Sequence, residues 1–313
     1  MNQTQVAPAK IRHYRRLVRS IVSRHFGKPA SRIVYKRTGL TNYVFAVNHL
    51  EGQFVIRISP DPEKINSFKK EQWATQKVRE AGVPTQEVLA VGIETTSEPY
   101  MIARRVTGVE ATHHPRRTSI VHELGRFAAI INSIQTNNFG NFFDWIDTPP
   151  KRLSWADYLD EEWGAEHRLS VLATHRILPE SSITKLRRII DDVRTIKTES
   201  SLNHGDLRMK NVIVEEEGSI CAIIDWDDCL STIAPAWELS IALHDLTIDE
   251  KQSFVEGYGC TSNEMSQMVL VMRTLNILNY SGPIESAVEK QDFKALSEFK
   301  LRLNGSLDLY CLE

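Results

Sequence analysis

The run His204-Gly205-Asp206-Leu207-Arg208-Met209-Lys210-Asn211, followed by Ile224-Asp225-Trp226, carries the residue types of a phosphoryl-transfer site. Such chemistry needs one carboxylate to accept the proton of an attacking hydroxyl, and an amide plus a second carboxylate to hold metal ions on nucleotide phosphates. Asp206, Asn211 and Asp225 supply that trio. Between the last two, Val212-Ile213-Val214 and Ile220-Cys221-Ala222-Ile223-Ile224 are β-prone runs separated by Glu215-Glu216-Glu217-Gly218-Ser219, a hairpin pattern. With the turn centred on Gly218, residue 212 faces 224, and Asn211 and Asp225 leave one end of the ladder roughly 5 Å apart. Two oxygens converging in this way suit a hard cation such as Mg²⁺, with phosphate and water completing its shell. Taken singly, an Asp in such a turn is a turn former and an Asn before a strand is a cap. The spaced combination is much harder to obtain from turn chemistry alone.

His204-Gly205-Asp206-x4-Asn211 with Ile224-Asp225-Trp226 resembles the aminoglycoside phosphotransferase family, the small-molecule branch of the protein-kinase-like fold. The resemblance implies Asp206 as catalytic base and Asn211 and Asp225 as magnesium ligands. It continues through Pro235-Ala236-Trp237-Glu238-Leu239, where the family usually has Asp in place of Glu238. Arg208 stands where protein kinases carry a Lys that touches the transferring phosphoryl group, making it a candidate charge stabiliser; a surface-loop cation is the other reading. The implied fold is α+β and bilobal: a five-stranded antiparallel sheet with helices over residues 1–105, binding the nucleotide, and a mostly helical catalytic and acceptor-binding lobe over 106–313. The implied cofactors are ATP or GTP with Mg²⁺.

The elements that must position these groups are legible upstream. Ile11, Tyr14, Leu17, Val18, Ile21, Val22 and Phe26 recur at helical spacing, with basic residues mainly between them, giving an amphipathic helix that ends near Gly27. Its basic face reads as solvated rather than as a membrane or RNA contact. Strands over 33–36, 43–47 and 54–58 make a meander. The turn containing Thr38, Gly39, Thr41 and Asn42 lies where kinases cover the ATP phosphates, although by itself it reads equally as a plain hairpin turn. In the third strand, period two puts Val55 and Arg57 on one face and Phe54, Ile56 and Ile58 on the other. Kinases place a phosphate-holding cation at the position of Arg57. The next helix begins at Asp61-Pro62 and stops at Gly82, with Phe68, Glu71, Thr75 and Val78 on one face. An unpaired inward Glu71 would be costly, so Arg57 is its natural partner; the alternative is a Glu71 that points outward at the helix edge.

Strands over 88–91 and 100–103 complete five, and Arg104-Arg105-Val106-Thr107-Gly108 reads as the linker, where the resemblance places Ala103 and Arg105 near the adenine base. Beyond Arg116, helices are expected over 120–134, 155–172, 183–196, 237–246, 263–280 and 293–309. Trp155, Tyr158, Asp160, Glu161, Glu162, Trp163 and Glu166 combine rings and acids that a polyamine sugar would want, though a solvated helix face accounts for most of the acids.

With 313 residues, 42% hydrophobic and 25% charged, the chain has the composition of an ordinary globular protein with room for two cores. A net charge of −2 gives no general reason to expect nucleic acid or a membrane as partner. Four cysteines without Cys-x-x-Cys spacing, with Cys221 placed in a buried strand, and no apolar leader point to reduced thiols in a cytoplasmic protein, a monomer or homodimer. The expected activity is O-phosphorylation of a hydroxylated small molecule. An aminoglycoside or related aminocyclitol leads, ahead of choline-like, homoserine-like or macrolide-like acceptors and of a non-catalytic nucleotide-binding scaffold. Antibiotic resistance does not follow from the fold.

Overall fold

The computed structural model describes residues 8–36, 42–94 and 97–308, with side chains as far as 304. The chain divides into two compact units, one of residues 1–120 and 209–229, the other of 121–208 and 230–313.

In the first unit, helix α1 (Pro8–Phe26) precedes strands β1 (Arg32–Lys36), β2 (Tyr43–His49) and β3 (Gly52–Ile58). Helix α2 (Lys64–Glu80), then β4 (Val88–Ile93) and β5 (Pro99–Arg104), follow. The strands form an antiparallel sheet of order β1-β2-β3-β5-β4. Alternation along β3 sends Phe54, Ile56 and Ile58 into a core with Phe45, Val47 and the α1 residues Tyr14, Val18, Ile21 and Val22. Each such buried side chain contributes about 1.5–3 kcal/mol. The opposite face packs Met101 and Ala103 on Phe68 of α2. Helix α2 starts three residues later than the Asp61-Pro62 signal, because Asp61 caps a preceding turn through the Glu63 N–H. It ends in a Schellman arrangement: Gly82 has φ +86°, with Val83 N–H bonded to Val78 O and Gly82 N–H to Arg79 O.

A three-stranded sheet in the same unit joins β6 (Val109–Glu110) to the hairpin strands Val212–Val214 and Ile220–Ile223. The hairpin register corrects the sequence expectation by one residue: Val212 faces Ile223, not residue 224. Gly218 is not the turn centre. Its N–H bonds to Glu215 O with φ +90°, and Glu215 N–H bonds to Ser219 O, the three-residue loop that ends in a left-handed glycine. The ladder then slips by one between Ile213 and Val214, leaving Cys221 as the extra residue, half-exposed rather than buried in a strand.

The second unit is mainly helical. Helix α3 (Arg117–Asn132) runs into it, followed by α4 (Ala165–Thr174), α5 (Glu180–Arg194), α6 (Ala236–Ala242), α7 (Ile248–Tyr258), α8 (Ser262–Asn279), α9 (Ser281–Glu289) and α10 (Phe293–Asp308). Two of these, α7 and α9, were not expected. The first carries a legible signal, the capping box Thr247/Glu250; the second hides behind Gly282-Pro283, which sits in its first turn where proline is tolerated. The single helix expected over 155–172 is broken. A π turn closes with Trp163 N–H on Tyr158 O, and Gly164 at φ +70° then reverses the backbone before α4. Helices α3 and α7 meet at two glycines: a methyl at Gly125 would overlap the Phe254 carbonyl oxygen, and one at Gly257 that of His122. Strands Ser201–Asn203 and Leu230–Thr232 pair antiparallel. Among the described residues no helix is long and apolar enough to cross a membrane.

Candidate active site

In the first unit, β3 and α2 together make one ion pair. Arg57 donates to both oxygens of Glu71, at 3.2 and 2.7 Å, and its guanidinium lies over the Phe68 ring at 5.2 Å. The forked geometry is the strong form of this interaction. Glu71 is fully buried and also accepts from Gln86 Nε2 at 2.7 Å. Burial pushes its carboxyl up, against the pull of Arg57. Gln86 had no place in the sequence reading, since nothing in its spacing marks it.

The same guanidinium faces Asp225, Nη1 to Oδ1 at 3.7 Å. Asp225 is held from both sides. Before it, Ile224 N–H bonds to Asn211 O. After it, the buried Trp226 indole donates to Thr85 Oγ1 and Ile223 O, each at 3.0 Å, and Thr85 Oγ1 donates to Ile223 O. Asp225 itself is left-handed, φ +67° and ψ +62°, a conformation Asp tolerates better than most residues. Its side chain is 51% exposed, in contrast to the buried Glu71. Asn211 is buried on the same hairpin.

One amide and one accessible carboxylate fit a Mg²⁺ that arrives with a nucleotide and keeps its phosphate and water ligands. They do not make a cage, and among the described residues no group of three or more His, Cys, Asp or Glu could hold a metal without help. Nearby, Asp227 pairs with Lys64 at 2.6 Å while its Oδ1 is buried without a hydrogen bond.

The remaining nucleotide candidates divide. Thr38, Gly39 and Thr41 lie outside the described residues. Asn42 is half-buried with Oδ1 buried and unpaired. Ala103 is buried in β5, and Arg105 N–H is spent on Gln53 O at 2.9 Å.

In the second unit, Asp206 follows a tightly held loop. Gly205 adopts φ +79°, and Asp206 N–H bonds back to His204 Nδ1. His204 N–H donates to Glu238 Oε2 at 2.5 Å, and Glu238 is fully buried. Glu238 thus anchors the loop that leads to Asp206. Asn132 Nδ2 holds Leu202 O, and Tyr258 OH holds Asn132 Oδ1. Arg208 is no plain surface cation: its guanidinium bonds to Asp206 Oδ1 and lies 3.5 Å from Asp245.

Burial pushes the Glu238 carboxyl up to about 7. The folded chain therefore keeps a proton that the unfolded chain loses above about 4.5, so stability falls as pH rises from 4.5 to 7. The slope is about 1.4 kcal/mol per pH unit, about 3 kcal/mol across the window. Urea denaturation at pH 5 and 7.5 should show a larger loss in the wild type than in Glu238→Gln; equal slopes would refute the assignment.

The aromatic and acidic residues considered for the acceptor have other employment. Trp155, Tyr158 and Trp163 are buried in a cluster with Trp237. Asp160 pairs with Arg194, Glu161 with Lys151, Glu166 with Arg187, and Glu162 accepts from Asn141 N–H.

The sequence model of the phosphotransferase enzyme family matches residues 37–264, well over half of the chain. The chain belongs to that family. The enzyme class read from the sequence, a small-molecule phosphotransferase, follows from this membership. The same α+β, protein-kinase-like fold recurs in solved structures. An apo thermostable mutant of the aminoglycoside phosphotransferase APH(4)-Ia aligns at 18% identity and TM-score 0.68, over 94% of this phosphotransferase and 100% of that chain. The GDP and kanamycin complex of APH(2")-IIIa aligns at 15% identity and TM-score 0.65, over 95% and 99%. A putative fructosamine-3-kinase from Haemophilus somnus aligns at 14% identity and TM-score 0.62, over 93% and 96%. No curated protein matches the sequence.

Proposed function

We propose that this phosphotransferase moves the γ-phosphoryl group of ATP or GTP to a hydroxyl of a small molecule. The observation that carries the reading is the Arg57 guanidinium, forked on Glu71 and turned toward Asp225, on the hairpin that also holds Asn211. Arg57 and the 38–42 turn position the phosphates, with Ala103 and Arg105 near the base. Asn211 and Asp225 hold Mg²⁺, which when bound neutralises charge on the phosphates. Asp206 accepts the proton of the acceptor hydroxyl while that oxygen bonds to the γ-phosphorus and the bond to the β–γ bridging oxygen breaks, releasing nucleoside diphosphate. Arg208 fixes the direction of Asp206 and supplies positive charge. In this reading residues 1–105 serve the nucleotide and 106–313 the chemistry and the acceptor, in a cytoplasmic monomer or homodimer.

The neighbours' complexes contain AMP-PNP, ADP or GDP, and hygromycin B or kanamycin. The direct test is transfer of labelled γ-phosphate from ATP and GTP to a panel of aminoglycosides, macrolides, amino alcohols, sugars and hydroxy acids. Absence of any product would replace the reading with a nucleotide-binding scaffold. Asp225→Ala should weaken nucleotide binding by about tenfold or more in the presence of Mg²⁺, since a lost ligand of this kind is worth over ~1.4 kcal/mol, and should change little without it. Titration calorimetry with and without EDTA checks both arms.

A further inference from the structure

In the first unit, helix α2 carries two oppositely charged side chains on one side. Two turns separate Lys64, its first residue, from Glu71, so both leave the helix in the same direction. Glu71 grips Arg57 on β3. Lys64 grips Asp227, Nζ to Oδ2 at 2.6 Å, in the turn Trp226–Asp228 that follows Asp225 and packs against α2. Arg57 and Asp225 face each other at 3.7 Å, so one helix holds both the proposed phosphate-aimed cation and the segment that bears the proposed metal carboxylate.

Helix formation does not account for Lys64. A cation in the first turn meets the positive end of the helix dipole, where acids are favoured, and α2 has no acid there. Nor is its ion pair a loose surface bridge. The two side chains are 18% and 21% exposed, and Asp227 Oδ1 is buried without a hydrogen bond, which leaves Lys64 as the donor that satisfies this carboxylate. Without it Asp227 would be a largely desolvated, unpaired charge, a cost that a shift of the segment toward water would relieve.

That segment has little latitude to shift. Asp225 holds φ +67° and ψ +62°, a conformation that persists only while its flanks are fixed. Ile224 N–H on Asn211 O fixes the near flank, and the Trp226 indole on Thr85 Oγ1 and Ile223 O fixes the start of the turn. Lys64 fixes the next residue. Burial works against the charge on Arg57, and Glu71, Asp225 and Asp227 hold its pKa above the ordinary value. With Lys64 on Asp227 that third carboxylate is already neutralised, and Arg57 is left to Asp225 and the phosphates.

We infer that Lys64 is a positioning residue of the nucleotide site: through Asp227 it fixes the Asp225 carboxylate at the place from which that group holds Mg²⁺. The inference rests on the phosphotransferase reading for the metal and the nucleotide, and on the ion pair itself for the residue.

The test is calorimetric titration of the full-length protein with AMP-PNP and with GMP-PNP, each in Mg²⁺ and in EDTA, alongside melting temperatures. Lys64→Met should weaken binding in Mg²⁺ by about tenfold, the effect expected when a group that orients a metal ligand is removed, and by under about twofold in EDTA. Lys64→Arg should restore most of the Mg²⁺-dependent affinity, since it keeps the charge. In an Asp227→Asn background Lys64→Met should change little further, because the support runs through that carboxylate. An equal loss in EDTA would mark a direct contact of Lys64 with phosphate and overturn the inference, as would an undiminished effect of Lys64→Met in the Asp227→Asn background. A Lys64→Met protein that melts lower yet binds nucleotide in Mg²⁺ as the wild type does has lost packing alone, which would also overturn it. Transfer to an acceptor by the wild type, with an unaltered Mg²⁺ response in Lys64→Met, would leave the phosphotransferase reading standing and remove this one. The Mg²⁺-dependent loss without transfer to any acceptor would do the reverse, and no binding of either nucleotide by the wild type would remove both.

Discussion

Asp206→Asn should lower phosphoryl transfer by roughly a thousandfold while nucleotide affinity stays within about twofold of wild type. The substitution keeps the side chain's size and an oxygen that can accept from Arg208, so the loop held by Glu238 and His204 has no reason to move. What it removes is the ability to take a proton at neutral pH. General-base contributions of ~10²–10⁴ set the magnitude, and three decades correspond to about 4 kcal/mol of barrier. Single-turnover kinetics at saturating acceptor isolate this loss, with nucleotide titration as the control. Transfer unchanged from wild type would remove Asp206 from the chemistry altogether.

Glu71→Ala should produce the largest effect on stability. It leaves the Arg57 guanidinium, whose side chain is 12% exposed, without its forked partner, and breaking one half of a buried pair costs about 3–5 kcal/mol. A second consequence follows from the 3.7 Å separation of Arg57 and Asp225. With Glu71 gone, the guanidinium can close on Asp225, neutralising the carboxylate proposed to hold the metal and leaving the phosphates without an aimed cation. Glu71→Gln keeps an acceptor for Arg57 and should cost less than the alanine variant. Urea denaturation gives the stability order, and nucleotide titration in Mg²⁺ gives the binding order. An alanine variant as stable as wild type would show that the pair contributes nothing to holding the unit together.

These expectations could be set up from sequence because Arg57 and Glu71 belong to elements with strong local periods. Strict alternation in β3 settles the face of Arg57, and the three-to-four spacing of Phe68, Glu71, Thr75 and Val78 settles that of Glu71. The hairpin was read one residue out of register because the position of Gly218 within its loop, and the slip that leaves Cys221 over, depend on backbone dihedrals that composition does not encode. The helix expected over 155–172 failed at Gly164, since an isolated glycine in a helical pattern is usually tolerated. The residues considered for the acceptor are a different case. Rings and acids gathered in one stretch say what a segment contains, not which of its side chains packing and ion pairs have already consumed. The apolar cavity of the second unit draws its walls from four helices between residues 236 and 308, an assembly with no period to read.

The crossing of α3 and α7 bears on the Asp206 loop at a remove. Asn132, at the end of α3, grips Leu202 O two residues before His204, and Tyr258, next to Gly257 on α7, grips Asn132. The gap between the two backbones is therefore the tolerance to which the Asp206 loop is machined, and two hydrogen atoms set it. Selection for phosphoryl chemistry thereby reaches Gly125 and Gly257, positions that carry no chemistry of their own, and closes them even to alanine.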